Sequence, residues 1–79
     1  MSSHKYYLYE LGLIIKLRAL EARRERDAAS DGSDDKTFHS GRLMAFNEVI
    51  SIMQQQAEGI GIPLADLRLD DIDPDKDLI

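Results

Sequence analysis

The sequence predicts an all-α protein: an antiparallel helical hairpin with a short third helical turn, pairing as a homodimeric four-helix bundle. Three observations lead there. Apolar residues recur at steps of three and four through two long stretches, which is the period of a helical face. A run of small polar residues separates the two stretches. Their apolar sectors are also wider than a single partner helix covers.

The bulk properties narrow the options. Seventy-nine residues make one domain at most, and so short a chain buries a modest fraction of its surface. With no cysteine, neither a disulfide framework nor a thiolate metal site supplements a small core. Helix packing and self-association are the remaining sources of stability. A net charge of -5 disfavours bulk attraction to nucleic acid or an anionic membrane, although local basic patches remain open. The apolar run after Lys5 is interrupted by Glu10, Lys16 and Arg18, whereas a signal-peptide core is less charged and a membrane span needs roughly 20 mostly apolar residues. The expected location is the cytoplasm.

The first helix is expected from about residue 4 to about residue 28, with Ser2 or Ser3 as its cap. Tyr7, Leu11 and Ile14 form one apolar row, and Tyr6, Leu13, Leu17 and Leu20 a second; Leu8 and Ile15 widen the sector until most of the circumference is apolar. A helix of this kind in so small a protein calls for more than one neighbour. Gly12 interrupts the pattern at ~1 kcal/mol against alanine. It is either a point of close backbone approach or a tolerated glycine. From Lys16 onward the helix turns polar, and Arg18, Glu21, Arg23, Arg24, Glu25, Arg26 and Asp27 suit a solvated final third with cations near the negative end of the dipole.

Ser30-Asp-Gly-Ser-Asp-Asp35 is a connector of turn-forming residues that reverses the chain. The second helix is expected over about residues 37–60, with Asp34, Asp35, Thr37 or Ser40 as cap candidates. Phe46, Val49, Met53, Ala57 and Ile60 form its central row, flanked by Leu43, Ile50, Ala45 and Ile52. The glycines and proline of Gly59-Ile-Gly-Ile-Pro63 end it. The predicted core and interface are Leu11, Ile14, Leu17, Leu20, Phe46, Val49, Ile50, Met53 and Ala57. Pro63 opens a helical turn over residues 63–67, which completes a hairpin domain of residues 1–68. Residues 69–79 carry Asp70, Asp71, Asp73, Asp75 and Asp77 and are expected as an acidic, extended or mobile tail, with Leu69, Ile72, Leu78 and Ile79 able to dock.

Candidate chemistry is sparse. Alternate aspartates from Asp71 to Asp77 imitate the start of a calcium loop, but Lys76 stands at the turn-glycine position and the bidentate glutamate is missing. His4 and His39 have no third ligand or nucleophile beside them. No catalytic residue, metal ligand or cofactor-binding residue is assigned. Gln54, Gln55 and Gln56 suit either an interhelical contact or a polar surface, and Arg42 with Glu48 suggests an ion pair between helices. Tyr6, Tyr7 and Tyr9 are the aromatic cluster. A phosphate-bearing ligand would find Tyr6 and Tyr9 for stacking and Lys16, Arg23, Arg24 and Arg26 for its charge, although core packing and surface ion pairs account for the same residues.

The stretch from Phe38 through Gln54-Gln-Gln-Ala57, followed by Gly61-Ile-Pro-Leu64, resembles a pattern in short uncharacterised proteins of proteobacteria and their phages. The resemblance covers roughly the C-terminal half of the chain. It implies a conserved-hypothetical type of protein or a small accessory of phage or mobile-element origin, and assigns no activity to any residue. The functional expectation is a non-enzymatic, oligomeric interaction or adaptor module whose partners are itself and another protein. The alternative is a small-ligand or nucleotide-binding accessory that sequesters a signal. Membrane and nucleic-acid partners are not expected.

Overall fold

The computed structural model describes residues 2–79. Two long helices, α1 (Ser3–Ala28) and α2 (Asp34–Ile60), form the antiparallel hairpin; a 3-10 turn (Leu64–Leu67) and a short helix α3 (Pro74–Asp77) follow. Among the described residues there is no strand, and no helix is long and apolar enough to cross a membrane.

Local chemistry sets the boundaries. The Ser2 hydroxyl accepts from the Lys5 amide at 3.2 Å and caps α1. Ser33 caps α2, accepting from the Lys36 amide at 3.1 Å, so the helix starts at Asp34, three residues before the expected start. Asp34 and Asp35 lie in its first turn, where carboxylates face the positive end of the dipole. Gly61 closes α2 at φ 88°, donating to Ala57 O, and the Ile62 amide donates to the same carbonyl at 2.8 Å in a Schellman arrangement.

The core differs in phase from the predicted one. Its α2 residues are Leu43, Ile50 and Ala57, seven apart, and α1 contributes the small side chains Ala19 and Ala22. Of the predicted set, Ile50 and Ala57 are buried, while Leu11, Leu20, Phe46 and Met53 are half-buried. Ile14, Leu17 and Val49 are 51%, 53% and 42% exposed, so none of these three is a core residue of the single chain.

The physical reason lies in residues 69–79. Instead of trailing from a hairpin domain that ends at residue 68, this segment covers one face of the hairpin and buries Leu69, Ile72 and Leu78 in the common core with Leu67. Asp70, Asp71, Asp73 and Asp75 between them are exposed. The main chain of the segment is held by side chains of both helices. Asn47 Nδ2 donates to Pro74 O at 2.7 Å, and Gln54 Nε2 donates to Leu69 O at 3.1 Å and Ile72 O at 2.9 Å. Arg23 and Arg26 donate to Asp77 O and Ile79 O. Gly12 permits the approach at the other end: a Cβ there would lie 1.7 Å from Leu67 O. Close backbone packing, the first of the two readings of this glycine, is the one the structure adopts.

Candidate interaction surface

The hairpin has a covered face and a bare one. On α1, Tyr9, Gly12, Lys16, Arg23 and Arg26 meet the segment that follows α2. At ~100° per residue, Tyr7, Glu10, Ile14 and Glu21 fall on the opposite side, with Leu11, Leu17 and Arg18 beside them. On α2, Asn47 and Gln54 mark the covered side. Phe38, Ala45, Val49, Ile52, Gln56 and Ile60 lie opposite, and all six are exposed. The two bare rows lie on the same face because the helices are antiparallel and share one cover.

This face is more apolar than solvent contact alone explains. The chain exposes 5356 Å², against roughly 4,850 Å² for a compact monomer of its 9.0 kDa mass. Tyr7, Ile14, Phe38, Val49, Ile52 and Ile60 are large apolar side chains exposed on this face. At the end of the hairpin near Ile60 the surface dips into a groove of about 270 Å³. Leu8, Ile62 and Leu67 line it together with Ile52, Gln56 and Ile60 of the bare row.

The residues proposed to hold a phosphate-bearing ligand do not converge. Tyr6 and Arg24 are exposed and eighteen residues apart on one straight helix, a separation of about 27 Å. Tyr9 is half-buried, accepts a hydrogen bond from Arg68 and lies under its guanidinium, 4.8 Å from ring centroid to Cζ. Lys16 is buried except for its ammonium contact with Asp71 at 2.8 Å. Arg23 and Arg26 donate to main-chain carbonyls of the C-terminal segment. Three of the four candidate cations, Lys16, Arg23 and Arg26, thus hold the protein's own chain. Sequence reasoning missed this role, for which the available signal was the pairing of Asn47 and Gln54, two amides seven apart beside a buried row.

The Lys16 contact is sensitive to pH. The hydrogen bond from Lys16 holds the Asp71 carboxyl below its ordinary value of 3.8, with burial acting in the other direction. A depressed carboxyl contributes stability above its unfolded-state value and loses it as pH falls through the lower folded-state value. Asp71→Asn is therefore expected to lower stability at neutral pH by about 0.5–1 kcal/mol, the carboxylate side chain being 67% exposed. The same substitution should make the acid-side loss of stability below about pH 4 shallower, as read by urea denaturation across pH.

Other polar clusters are structural. Arg42 pairs with Glu25 of α1 at 2.8 Å instead of with Glu48, and His39 Nδ1 lies 3.1 Å from the same carboxylate. Asp73 caps α3 by accepting from the Asp75 amide, and Asp77 accepts from the Asp73 amide. Among the described residues, no buried side-chain nitrogen or oxygen lacks a hydrogen-bond partner.

Comparison of the chain with protein-family models, curated proteins and solved structures gave no match.

Proposed function

We propose that the protein is a non-enzymatic interaction module that works as a homodimer, two hairpins meeting through their bare faces as a four-helix bundle. The observation that carries this reading is the apolar face on both helices opposite the C-terminal segment. A hairpin covered on one side and apolar on the other is half of a bundle. Its outline, 45 Å long and at least 16 Å wide, suits an interface of the standard size, about 800 Å² per partner. Pairing leaves the aspartate-rich C-terminal layer outward, where Asp70, Asp71, Asp73 and Asp75 give an acidic surface suited to steering a basic protein partner. The cytoplasmic placement expected from the sequence belongs to the same reading. A ligand-sequestering role is less well supported, because three of the four cations it needs are engaged by the chain itself.

Light scattering behind size exclusion tests the proposal. The expected mass is twice the 9.0 kDa of the chain. Val49→Asp should give a monomer that keeps the helical far-UV spectrum and a cooperative melt, since Val49 makes no part of the single-chain core. A wild-type monomer at every concentration would overturn the proposal, and an undiminished dimer in the Asp variant would move the interface elsewhere.

A further inference from the structure

The bare face is self-complementary, which specifies how two copies meet. On α2, Val49 is the centre of a symmetric row: Ala45 and Met53 are four residues away on either side, Arg42 and Gln56 seven, Phe38 and Ile60 eleven. On α1, Ile14 is such a centre: Leu11 and Leu17 are three away, Glu10 and Arg18 four, Tyr7 and Glu21 seven. The two centres lie at nearly one height. Glu25 sits across from His39 and Arg42, so counting back along antiparallel helices brings Ile14 within about one turn of Val49.

Resting on the homodimer reading above, we infer that a twofold axis passes between the hairpins at Val49 and Ile14, so that α2 packs antiparallel on α2 of the second copy and α1 antiparallel on α1. An axis at this place makes every pair reciprocal, as an isologous interface requires. Val49 meets Val49 and Ile14 meets Ile14. Phe38, exposed at one end of α2, reaches the end of the partner helix that holds Ile60 and enters the apolar groove lined there by Leu8, Ile52 and Ile62. The groove thus receives an aromatic ring of a second copy.

Charge argues for the same register. Glu10 has no ion-pair partner within its own chain among the described residues, and the Arg18 guanidinium has one distant contact, Glu21 at 3.9 Å. Placing the axis at Ile14 brings Glu10 of each copy to Arg18 of the other, twice. It also sets each Tyr7 hydroxyl beside a Glu21 carboxylate that can accept from it. Stacking α1 on α2 of the second copy instead would lose both pairings and leave Phe38 away from the groove.

Because the natural chain has no cysteine, single cysteines report the register directly. Val49→Cys places two thiols at the axis within disulfide reach, so mild oxidation should link the copies on the order of 10²-fold faster than the outward control Asp75→Cys. An equal mixture of Phe38→Cys and Ile60→Cys chains should form the mixed disulfide, with little linkage in either variant alone. Glu10→Arg should loosen the dimer by at least about tenfold, and adding Arg18→Glu should restore it. A light-scattering dimer in which Val49→Cys links no faster than the control would overturn this register and leave the dimer standing. A monomeric wild type would overturn both.

Discussion

Gly12→Ala is expected to destabilise the protein by about 2–3 kcal/mol, although the same change in an ordinary helix interior stabilises by about 1 kcal/mol. The sign reversal follows from one contact. The added Cβ would stand 1.7 Å from Leu67 O and 2.8 Å from Leu67 C, and both are backbone atoms that no rotamer change can move. Relief requires the 3-10 turn to withdraw from α1. That shift pulls on Leu67 and Leu69, both buried in the core, and on the Arg68 contact with Tyr9. The loss should appear as a lower urea midpoint. A midpoint equal to or above that of the wild type would mean that the turn does not pack on α1 as described.

Leu78→Ala should cost about 2–4 kcal/mol, a large part of what holds so small a domain together. Leu78 is 1% exposed and joins Leu43 and Ile50 in a core to which α1 contributes chiefly small side chains. Truncation leaves a void beside Leu43, and the Asn47 amide that donates to Pro74 O and Leu78 O is left beside a segment less firmly held. Leu69→Ala, at a fully buried position, should act similarly. Thermal denaturation of the purified variants reads both. A change under about 0.5 kcal/mol, the size usual for exposed surface positions, would mean that the C-terminal segment is not part of the core.

The helical hairpin was legible because its signals are local. Spacing of three and four, the polar run that opens at Ser30, and the glycine at position 61 each act within a few residues; the run reverses the chain as expected, although Asp34 and Asp35 already belong to α2. The phase of the core was not legible. Phe46–Val49–Met53 and Leu43–Ile50–Ala57 both have helical spacing, and choosing between them requires knowing which side of α2 is covered. That cover is the segment expected as a tail. Its aspartates dominate the local composition, yet Leu69, Ile72 and Leu78 fall at positions that turn inward while Asp70, Asp71, Asp73 and Asp75 stay in water. Composition averages what geometry separates. The same averaging made Lys16, Arg23 and Arg26 look available to a ligand, when their partners are more than fifty residues away in sequence.

Covering of the bare face by a second copy has a thermodynamic signature, a dependence of stability on protein concentration. The decisive measurement is the urea midpoint of the wild type over a hundredfold range of concentration. If folding and pairing are coupled, mass action raises the midpoint steadily with concentration. A midpoint that stays constant across the range, with a mass of one chain throughout, would show that the apolar face is left open to water and would contradict the dimer.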